Sequence, residues 1–265
     1  MAYYGIGSII GDIIGSHRER NNEKYTNFEW LIPECRMTDD SILTIATMDA
    51  IISNPSDPQY SDKYREYFRL YPDAGFGKKF KAWGFSDSDE IIDSCGNGSA
   101  MRVSPIGLVY PTLESTLYHA HKSAKITHSH PEGLKGAKAI AGAVYLASME
   151  NSKEAIKNWI TTEIGYDLNF TIDGIRDSYE RNVTCQGSVP QAIVAFLDAD
   201  DFESTIRLAI SLGGDSDTIA AMAGGIAEVF YGIPESVFNT ILPIIDANSN
   251  VVLSEVIRKF DNIYG

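Results

Sequence analysis

The chain has 265 residues, of which 44% are apolar, enough for one large hydrophobic core or at most two small ones. The 36 acidic residues outnumber the 22 basic ones and give a formal net charge of −14. Nucleic acids and anionic membranes both attract basic surface, so this charge argues against either partner. An acidic surface that only keeps the chain solvated and a carboxylate cluster that binds cations are both open interpretations.

The cysteine pattern and the apolar segments bear on the compartment. Cys35, Cys95 and Cys185 are widely separated and form neither a disulfide framework nor a paired metal-ligand pattern. The first residues lack the basic flank and apolar run of a signal peptide. No uncharged apolar stretch approaches the roughly 18 residues of a membrane span. We therefore expect a cytoplasmic protein.

The predicted elements are helices. Gly7, Gly11 and Gly15 are spaced four apart and share one face if their segment is helical. Residues 41–53 are apolar almost all round, which predicts a helix in the middle of the core. An alanine-rich helix is predicted for 134–149. A further helix is predicted to begin near Ser188, with Pro190 in its first turn.

The last predicted helices carry capping and packing signals. Asp200 with Glu203 predicts a capping box for a helix over 205–212 that ends at Gly213-Gly214. Apolar residues from Ile219 to Phe230 recur at three- and four-residue steps, among many small residues. Glycine inside a helix costs roughly 1 kcal/mol relative to alanine, so we expect a close helix-to-helix approach here. With loops at 54–58 and 71–77 and no alternating strand pattern, the sequence predicts one all-α domain over 1–265.

Two short acidic segments, Thr38-Asp39-Asp40-Ser41 and Asp215-Ser216-Asp217-Thr218, each begin an apolar helix. One interpretation is helix capping, since these residue types satisfy free N–H groups and suit the helix dipole. The other is a metal site, because neither helix carries Lys or Arg and buried unpartnered carboxylates are costly. The four aspartates carry the charge that two divalent ions would neutralise. Ligands that are all oxygen suit Mg²⁺ or Mn²⁺.

Two further segments are candidates for ligand binding. Residues 94–102, Ser-Cys-Gly-Asn-Gly-Ser-Ala-Met-Arg, form a small-residue loop whose N–H groups can approach a phosphate. Its spacing matches neither a P-loop nor a dinucleotide fingerprint, so a plain turn is the alternative. Residues 127–133 contain His128 and His130, whose spacing does not fit a zinc helix motif. A hydrogen-bonding role at a ligand and a structural role both remain open.

Taken together, these segments resemble the ADP-ribosylglycohydrolase family. The resemblance covers roughly residues 5 to 232. It is carried, in order, by five motifs: Gly5-x-x-x-x-x-Gly11-Asp12-x-x-Gly15, Thr38-Asp39-Asp40, Gly96-Asn97-Gly98-x-Ala100-Met101-Arg102, Thr127-His128 and Gly213-Gly214-Asp215-x-Asp217-Thr218. Each motif alone is weak, and the five in this order are specific. The resemblance implies a compact all-α orthogonal bundle that hydrolyses the N- or O-glycosidic bond between ADP-ribose and a modified acceptor.

The resemblance also implies a role for each matching residue. The ligands of a centre of two Mg²⁺ or Mn²⁺ ions would be Thr38, Asp39, Asp40, Asp215, Asp217 and Thr218. Ser94, Gly98 and Ser99 fall where the family cradles the diphosphate, with Asn97 and Met101 in the same substrate-binding segment. His128, Gly75 and Gly77 would help to hold ADP-ribose. Glu19 matches an acidic residue that reaches the scissile bond.

The implied chemistry needs an oriented sugar and an activated water. Glu19 is the candidate general base or acid, and Asp39 or Asp40 is the candidate for orienting the water. Two positions depart from the family pattern: the flanks of Glu19, Ser16-His17-Arg18 and Arg20, are more basic, and Ser41 stands where threonine is frequent.

Three other readings compete with this one. They are an ADP-ribose-binding module without catalysis, a structural, crystallin-like member of the same fold, and a metal-dependent phosphohydrolase. The acceptor is open: a protein side chain such as arginine or serine, a nucleic-acid end or a small molecule. We expect a monomer, with an ADP-ribosylated protein or small molecule as its substrate.

Overall fold

The computed structural model describes residues 3–20, 22, 24–88, 90–247 and 251–265. Over these residues the regular structure is helical: α1 (Gly7–Gly15), α2 (Asp39–Ser53), α3 (Tyr60–Leu70), α4 (Lys78–Phe85), α5 (Ser104–Val109), α6 (Leu113–Lys125), α7 (Pro131–Ser148), α8 (Lys153–Trp159), α9 (Ile172–Ile175), α10 (Cys185–Asp198), α11 (Phe202–Ile210), α12 (Ser216–Tyr231), α13 (Glu235–Ala247) and α14 (Val251–Tyr264). Short 3₁₀ turns cover Arg18–Arg20 and Asn97–Ser99, and a π-helical turn covers Ile160–Ile164. In these ranges the β structure is one isolated antiparallel bridge between Gly96 and Thr184. The predicted all-α class is confirmed.

No helix within the described ranges is long and apolar enough to cross a membrane. Helix α2 is buried along most of its length, as its nearly unbroken apolar pattern predicts. Helices α7, α10 and α12 pack with it in the same core, and α12 is buried from Ser216 to Glu228. The acidic starts of α2 and α12 are therefore carried by two of the most deeply buried helices.

Glycines bring α1 against α12. A Cβ on Gly7 would overlap the carbonyl oxygen of Gly224, and a Cβ on Gly11 would overlap that of Ala220. A Cβ on Gly15 would overlap the backbone of Asp217. The predicted close approach of helices at these small residues is confirmed, and it sets α1 against the beginning of α12.

The beginning of α1 is capped by a carboxylate from α12. Glu228 accepts hydrogen bonds from the backbone N–H groups of Gly5 at 2.6 Å, Ile6 at 3.3 Å and Gly7 at 2.7 Å. These N–H groups have no partner within the helix, so the carboxylate satisfies them. Burial raises the pKa of Glu228 to about 7. This buried acid has a structural task and lies apart from the acidic segments.

Two predicted helix starts are wrong. Helix α10 begins at Cys185, so Pro190 lies inside the helix rather than in its first turn. The start is fixed by tertiary pairing, because Cys185 N–H donates to Cys95 O at 2.8 Å and Asn97 N–H donates to Val183 O at 2.9 Å. No local pattern reveals such pairing.

The second correction concerns the capping box, which uses Asp201 and Ser204 instead of Asp200 and Glu203. Ser204 N–H donates to the Asp201 carboxylate at 2.7 Å, and Asp201 N–H donates to the Ser204 hydroxyl at 3.0 Å. Helix α11 therefore starts at Phe202, whose fully buried ring favours this register over the predicted 205–212.

Candidate functional site

A cavity of about 1040 Å³ lies where both acidic segments, the 71–77 turn, the small-residue loop and His128 meet. The sequence-predicted residues that line it are Glu19, Thr38, Asp39, Asp40, Gly75, Gly77, Ser94, Asn97, Gly98, Met101, His128, Asp215, Asp217 and Thr218. Ser99 does not line the cavity. It is fully buried, and its hydroxyl donates to the carbonyl of Gly133 at 2.7 Å. Its side chain therefore supports the loop from behind.

The first carboxylate group joins three helices. Asp12 of α1, Asp40 of α2 and Asp217 of α12 are buried, and each offers an oxygen within 4.8 Å of the others. Asp12 accepts four hydrogen bonds, from the N–H and hydroxyl groups of both Thr38 and Ser41. The bonds from Thr38 measure 2.8 Å from the N–H and 2.6 Å from the hydroxyl. Asp12 thus caps α2, and Ser41 provides the hydroxyl that this contact needs.

Asp40 lacks the partners that Asp12 has. Its Oδ1 is buried without a hydrogen bond, while Oδ2 lies 3.3 Å from the hydroxyls of Thr38 and Thr218. Burial, and next the neighbouring Asp12, raise the pKa of Asp40 well above its ordinary value. Burial, and next Asp215, do the same to Asp217. An unsatisfied carboxylate oxygen among like charges is the arrangement that a cation relieves.

The second carboxylate group consists of Glu19, Asp215 and Asp217, which again offer oxygens within 4.8 Å of one another. Asp217 belongs to both groups. Asn97 donates to Asp215 Oδ2 at 2.6 Å, and Arg181 Nη2 donates to Asp215 Oδ1 at 3.0 Å. The same guanidinium forms an ion pair with Glu19. Burial raises the pKa of Asp215 in spite of these two partners.

The basic flank of Glu19 has a structural explanation. Arg18 is buried, donates to Ile14 O at 2.7 Å, and stacks over Phe28 with its guanidinium carbon 4.3 Å from the ring centre. Arg18 therefore packs inward while Glu19 lines the cavity.

Asp39 lies at the edge of the cavity and is partly exposed. Its N–H donates to Ala74 O at 3.0 Å, which ties the 71–77 turn to the start of α2. Gly75 in that turn has a φ of 128°, and a Cβ there would lie 2.7 Å from Asp39 Oδ1. Only glycine fits both the conformation and the space. Burial, and next the charge of Asp12, raise the pKa of Asp39 to about 7.

The donor set fits divalent cations. The two groups supply carboxylate oxygens, with the hydroxyls of Thr38 and Thr218 beside Asp40. Oxygen ligands of this kind are typical of hard cations such as Mg²⁺ and Mn²⁺. The unpartnered Asp40 Oδ1 is the observation that a purely structural, capping role for these residues leaves unexplained.

Two glycines of the small-residue loop lie close to His128 in the cavity. A Cβ on Gly98 would lie 3.2 Å from His128 Nε2, and one on Gly96 would lie 3.4 Å from it. Burial, followed by the charges of Arg102 and Lys79, holds the pKa of His128 well below its usual value, so the ring is neutral. Five basic residues line the cavity together with the acidic groups: Arg36, Lys78, Lys79, Arg102 and Arg181. The cavity therefore presents both cation-binding oxygens and cationic side chains.

The sequence reasoning missed three residues at this site. Asp12 belongs to the motif Gly11-Asp12-x-x-Gly15, and a lone carboxylate in an apolar helix was the available signal. Arg102 is the last residue of the small-residue loop, but nothing local shows that it is buried. Arg181 precedes α10 in an irregular segment, and no pattern in the sequence connects it to Glu19 or Asp215.

Comparisons with known proteins agree on the fold and the family. The human ADP-ribosylhydrolase ARH3 (Homo sapiens) is 24% identical over 312 residues, covering 87% of this chain and 85% of the relative. The ADP-ribosylarginine hydrolase Tri1 of Pseudomonas putida is 20% identical over 258 residues, covering 86% of this chain and 69% of the relative. A solved chain described as an ADP-ribosylglycohydrolase-related protein complex superposes with a TM-score of 0.68 at 22% identity, over 98% of this chain and 96% of that one. The family model for ADP-ribosylglycohydrolase matches residues 5–247, and the chain belongs to that family.

Proposed function

We propose that this protein is a metal-dependent hydrolase that cleaves the glycosidic bond between ADP-ribose and a modified acceptor. Family membership and the similarity to ADP-ribosylhydrolases support hydrolysis of ADP-ribose linkages. The observation that carries the metal dependence is the buried Asp12–Asp40–Asp217 group, in which one oxygen of Asp40 has no partner. Asp40 and Asp217 of that group line a cavity large enough for a nucleotide-sized ligand.

The two carboxylate groups would hold two ions, Mg²⁺ or Mn²⁺. The proposed ligands are Asp40, Asp215 and Asp217 of these groups and, outside them, Thr38, Asp39 and Thr218, with Asp12 fixing the start of α2. When bound, such ions orient sugar oxygens and increase the acidity of water. The sharing of Asp217 between the groups supports a pair of ions rather than two separate sites.

Glu19 is the proposed acid or base at the scissile bond. Its carboxylate lines the cavity and is held by Arg181 beside Asp215. From there it can take a proton from the attacking water or give one to the leaving group. Burial and the charge of Asp12 raise the pKa of Asp39 to about 7, so Asp39 can exchange a proton near neutral pH.

The small-residue loop and His128 are the proposed cradle for the diphosphate. Gly96 and Gly98 leave room beside His128 Nε2, and Ser94, Asn97 and Met101 line the same wall. Gly75 and Gly77, in the turn that precedes α4, also line the proposed ADP-ribose site. The basic residues of the cavity provide charge for a phosphate-bearing ligand.

The test is product analysis on defined ADP-ribosylated substrates. Protein freed of metal by chelation is incubated with each substrate in Mg²⁺ or Mn²⁺, and the products are separated. Free ADP-ribose with an intact diphosphate supports the proposal. Release of AMP or phosphate would favour a phosphohydrolase, and binding of ADP-ribose without turnover would favour a binding module.

A matched pair of variants connects turnover to Glu19. Glu19→Gln keeps the size of the side chain but cannot exchange the proton, so we expect a large loss of kcat at saturating metal. Glu255→Gln removes a carboxylate from an exposed ion pair with Lys259 and serves as the control. Full turnover by Glu19→Gln would contradict the proposed role.

A further inference from the structure

Arg102 is a buried cation without an anionic partner. Its side chain is fully buried, and no carboxylate in the described ranges forms an ion pair with it. Its guanidinium carbon lies 4.0 Å from the ring centre of Tyr64, and its Nε and Nη1 make no hydrogen bond. A buried, unpaired charge is costly, and the aromatic face offsets only part of that cost.

One of the polar side chains that Arg102 contacts, Thr127, leads to the cavity. Arg102 Nη2 donates to Ser123 O at 2.9 Å and to the hydroxyl oxygen of Thr127 at 2.7 Å. That hydroxyl lies 2.8 Å from Nδ1 of His128. Thr127 and His128 are both buried, and both line the cavity.

The position of each proton in this chain follows from hydrogen-bond satisfaction. Arg102 can only donate, so the Thr127 oxygen accepts from it and keeps its own proton free to donate. The acceptor in reach of that proton is His128 Nδ1. If Nδ1 carried a proton, the buried hydroxyl proton would have no partner among the described contacts, which costs free energy. The neutral ring therefore carries its proton on Nε2.

The Nε2 side of the ring faces the small-residue loop. Cβ atoms on Gly98 and Gly96 would lie 3.2 and 3.4 Å from Nε2, and both glycines and His128 line the cavity. Nε2 makes no hydrogen bond to the described protein atoms. It is not one of the fully buried side-chain atoms that lack a partner. An N–H at this place is ready to donate to a ligand in the cavity.

We propose that Arg102 and Thr127 are positioning residues that hold His128 as the Nε2–H tautomer, so that the ring donates a hydrogen bond to a phosphate oxygen of the ligand. The choice of a phosphate rests on the proposed function. The tautomer itself depends only on the contacts of the free protein. Arg102 thereby acts on the ligand through Thr127 and His128.

The first test is the tautomer in the wild-type protein. Long-range proton–nitrogen NMR spectra of the ¹⁵N-labelled full chain report which ring nitrogen is protonated, and His128→Gln identifies the signals. We expect Nε2 of His128 to be protonated and Nδ1 to be an unprotonated acceptor. Protonation of Nδ1 would overturn the proposal.

The second test compares Thr127→Val, which removes the hydroxyl at nearly constant shape, with Thr127→Ser, which retains it. ADP-ribose is the binding probe. We expect Thr127→Val to lose the single tautomer and to bind ADP-ribose at least about tenfold more weakly, as the loss of a hydrogen bond to a charged group predicts. Thr127→Ser should restore both readouts. A Thr127→Val protein with the wild-type tautomer and affinity would overturn the proposal.

The two proposals fail differently. If the wild type shows the Nε2–H tautomer but does not bind ADP-ribose, the positioning of His128 by Arg102 and Thr127 is supported and the assignment of its ligand is overturned. If the wild type binds and hydrolyses its substrate but carries the Nδ1–H tautomer, the positioning role of Arg102 and Thr127 is overturned and the proposed function stands.

Discussion

Asn97 on the small-residue loop donates a hydrogen bond of 2.6 Å to the carboxylate of Asp215 at the start of α12. This bond connects the proposed phosphate cradle to the proposed metal centre. It also lowers the pKa of Asp215, against the larger opposite effect of burial. The small-residue loop and the Asp215 carboxylate therefore position each other, and we expect a substitution in one to alter the function of the other.

Asn97→Leu removes this donor while keeping a side chain of similar size. We expect the affinity for Mg²⁺ or Mn²⁺ to fall roughly 10–100-fold, as is typical when a group that orients a metal ligand is lost. Isothermal titration calorimetry, with protein from which metal has been removed by a chelator, measures this affinity. Asn97 also donates to Ser188 at 3.1 Å, so Ser188→Ala is the control that spares the Asp215 bond. Equal effects of the two substitutions would contradict the role given to Asn97.

Metal binding should expel protons. The pKa of Asp39 is raised to about 7 by burial and by Asp12, so below that pH the metal-free protein holds a proton that a bound cation displaces. Affinity should therefore increase as the pH rises towards 7. Titration in two buffers of different protonation enthalpy counts the released protons, which should be more numerous at pH 6 than at pH 8. Proton uptake at pH 6 would contradict the assignment.

Arg181 should compete with an ion at the second carboxylate group. Its guanidinium contacts both Glu19 and Asp215, although its side chain is 54% exposed. Exposed ion pairs are weak, so Arg181→Ala should tighten binding of the second ion by no more than about fivefold. Lys259→Ala removes the same charge at a distant exposed pair and is the control. Weaker metal binding by Arg181→Ala would show that the arginine supports the ion instead.

The approach of α1 to α12 is a requirement for the first carboxylate group. Gly11→Ala would place a Cβ on the carbonyl of Ala220, so we expect a loss of unfolding free energy at or above about 3 kcal/mol. Gly77→Ala is the control for stability, since Gly77 has a φ of −63° and no atom within 4 Å of an added Cβ. Denaturant unfolding of both variants checks this. Similar stabilities would mean that the helices can separate without penalty.

The sequence predicts those features that depend on local pattern. The apolar run of α2 and the glycine spacing of α1 indicate burial and close packing, and both are confirmed. The start of α10 and the capping box of α11 were misplaced, because pairing with Cys95 and the burial of Phe202 decide them. Tertiary contacts override local signals at such positions.

The site divides in the same way. Carboxylates at helix starts are visible in the sequence, and the structure brings both segments to one cavity. The burial of Arg102 and the reach of Arg181 to Glu19 arise only when distant segments meet, so no spacing rule predicts them. Ser99 shows the converse, because a residue within the predicted loop directs its hydroxyl to Gly133 instead of the cavity.

The most direct test of the proposed function is ADP-ribose release by Asp217→Asn, since Asp217 is shared by both carboxylate groups. Single-turnover release from a defined ADP-ribosylated substrate is measured across a titration of Mg²⁺ or Mn²⁺, beside the wild type and an exposed control, Asp62→Asn. The account predicts metal-dependent release by the wild type and the control, and a severe loss in Asp217→Asn that excess metal does not fully restore. Release by Asp217→Asn at the wild-type rate and with the wild-type metal dependence would contradict it.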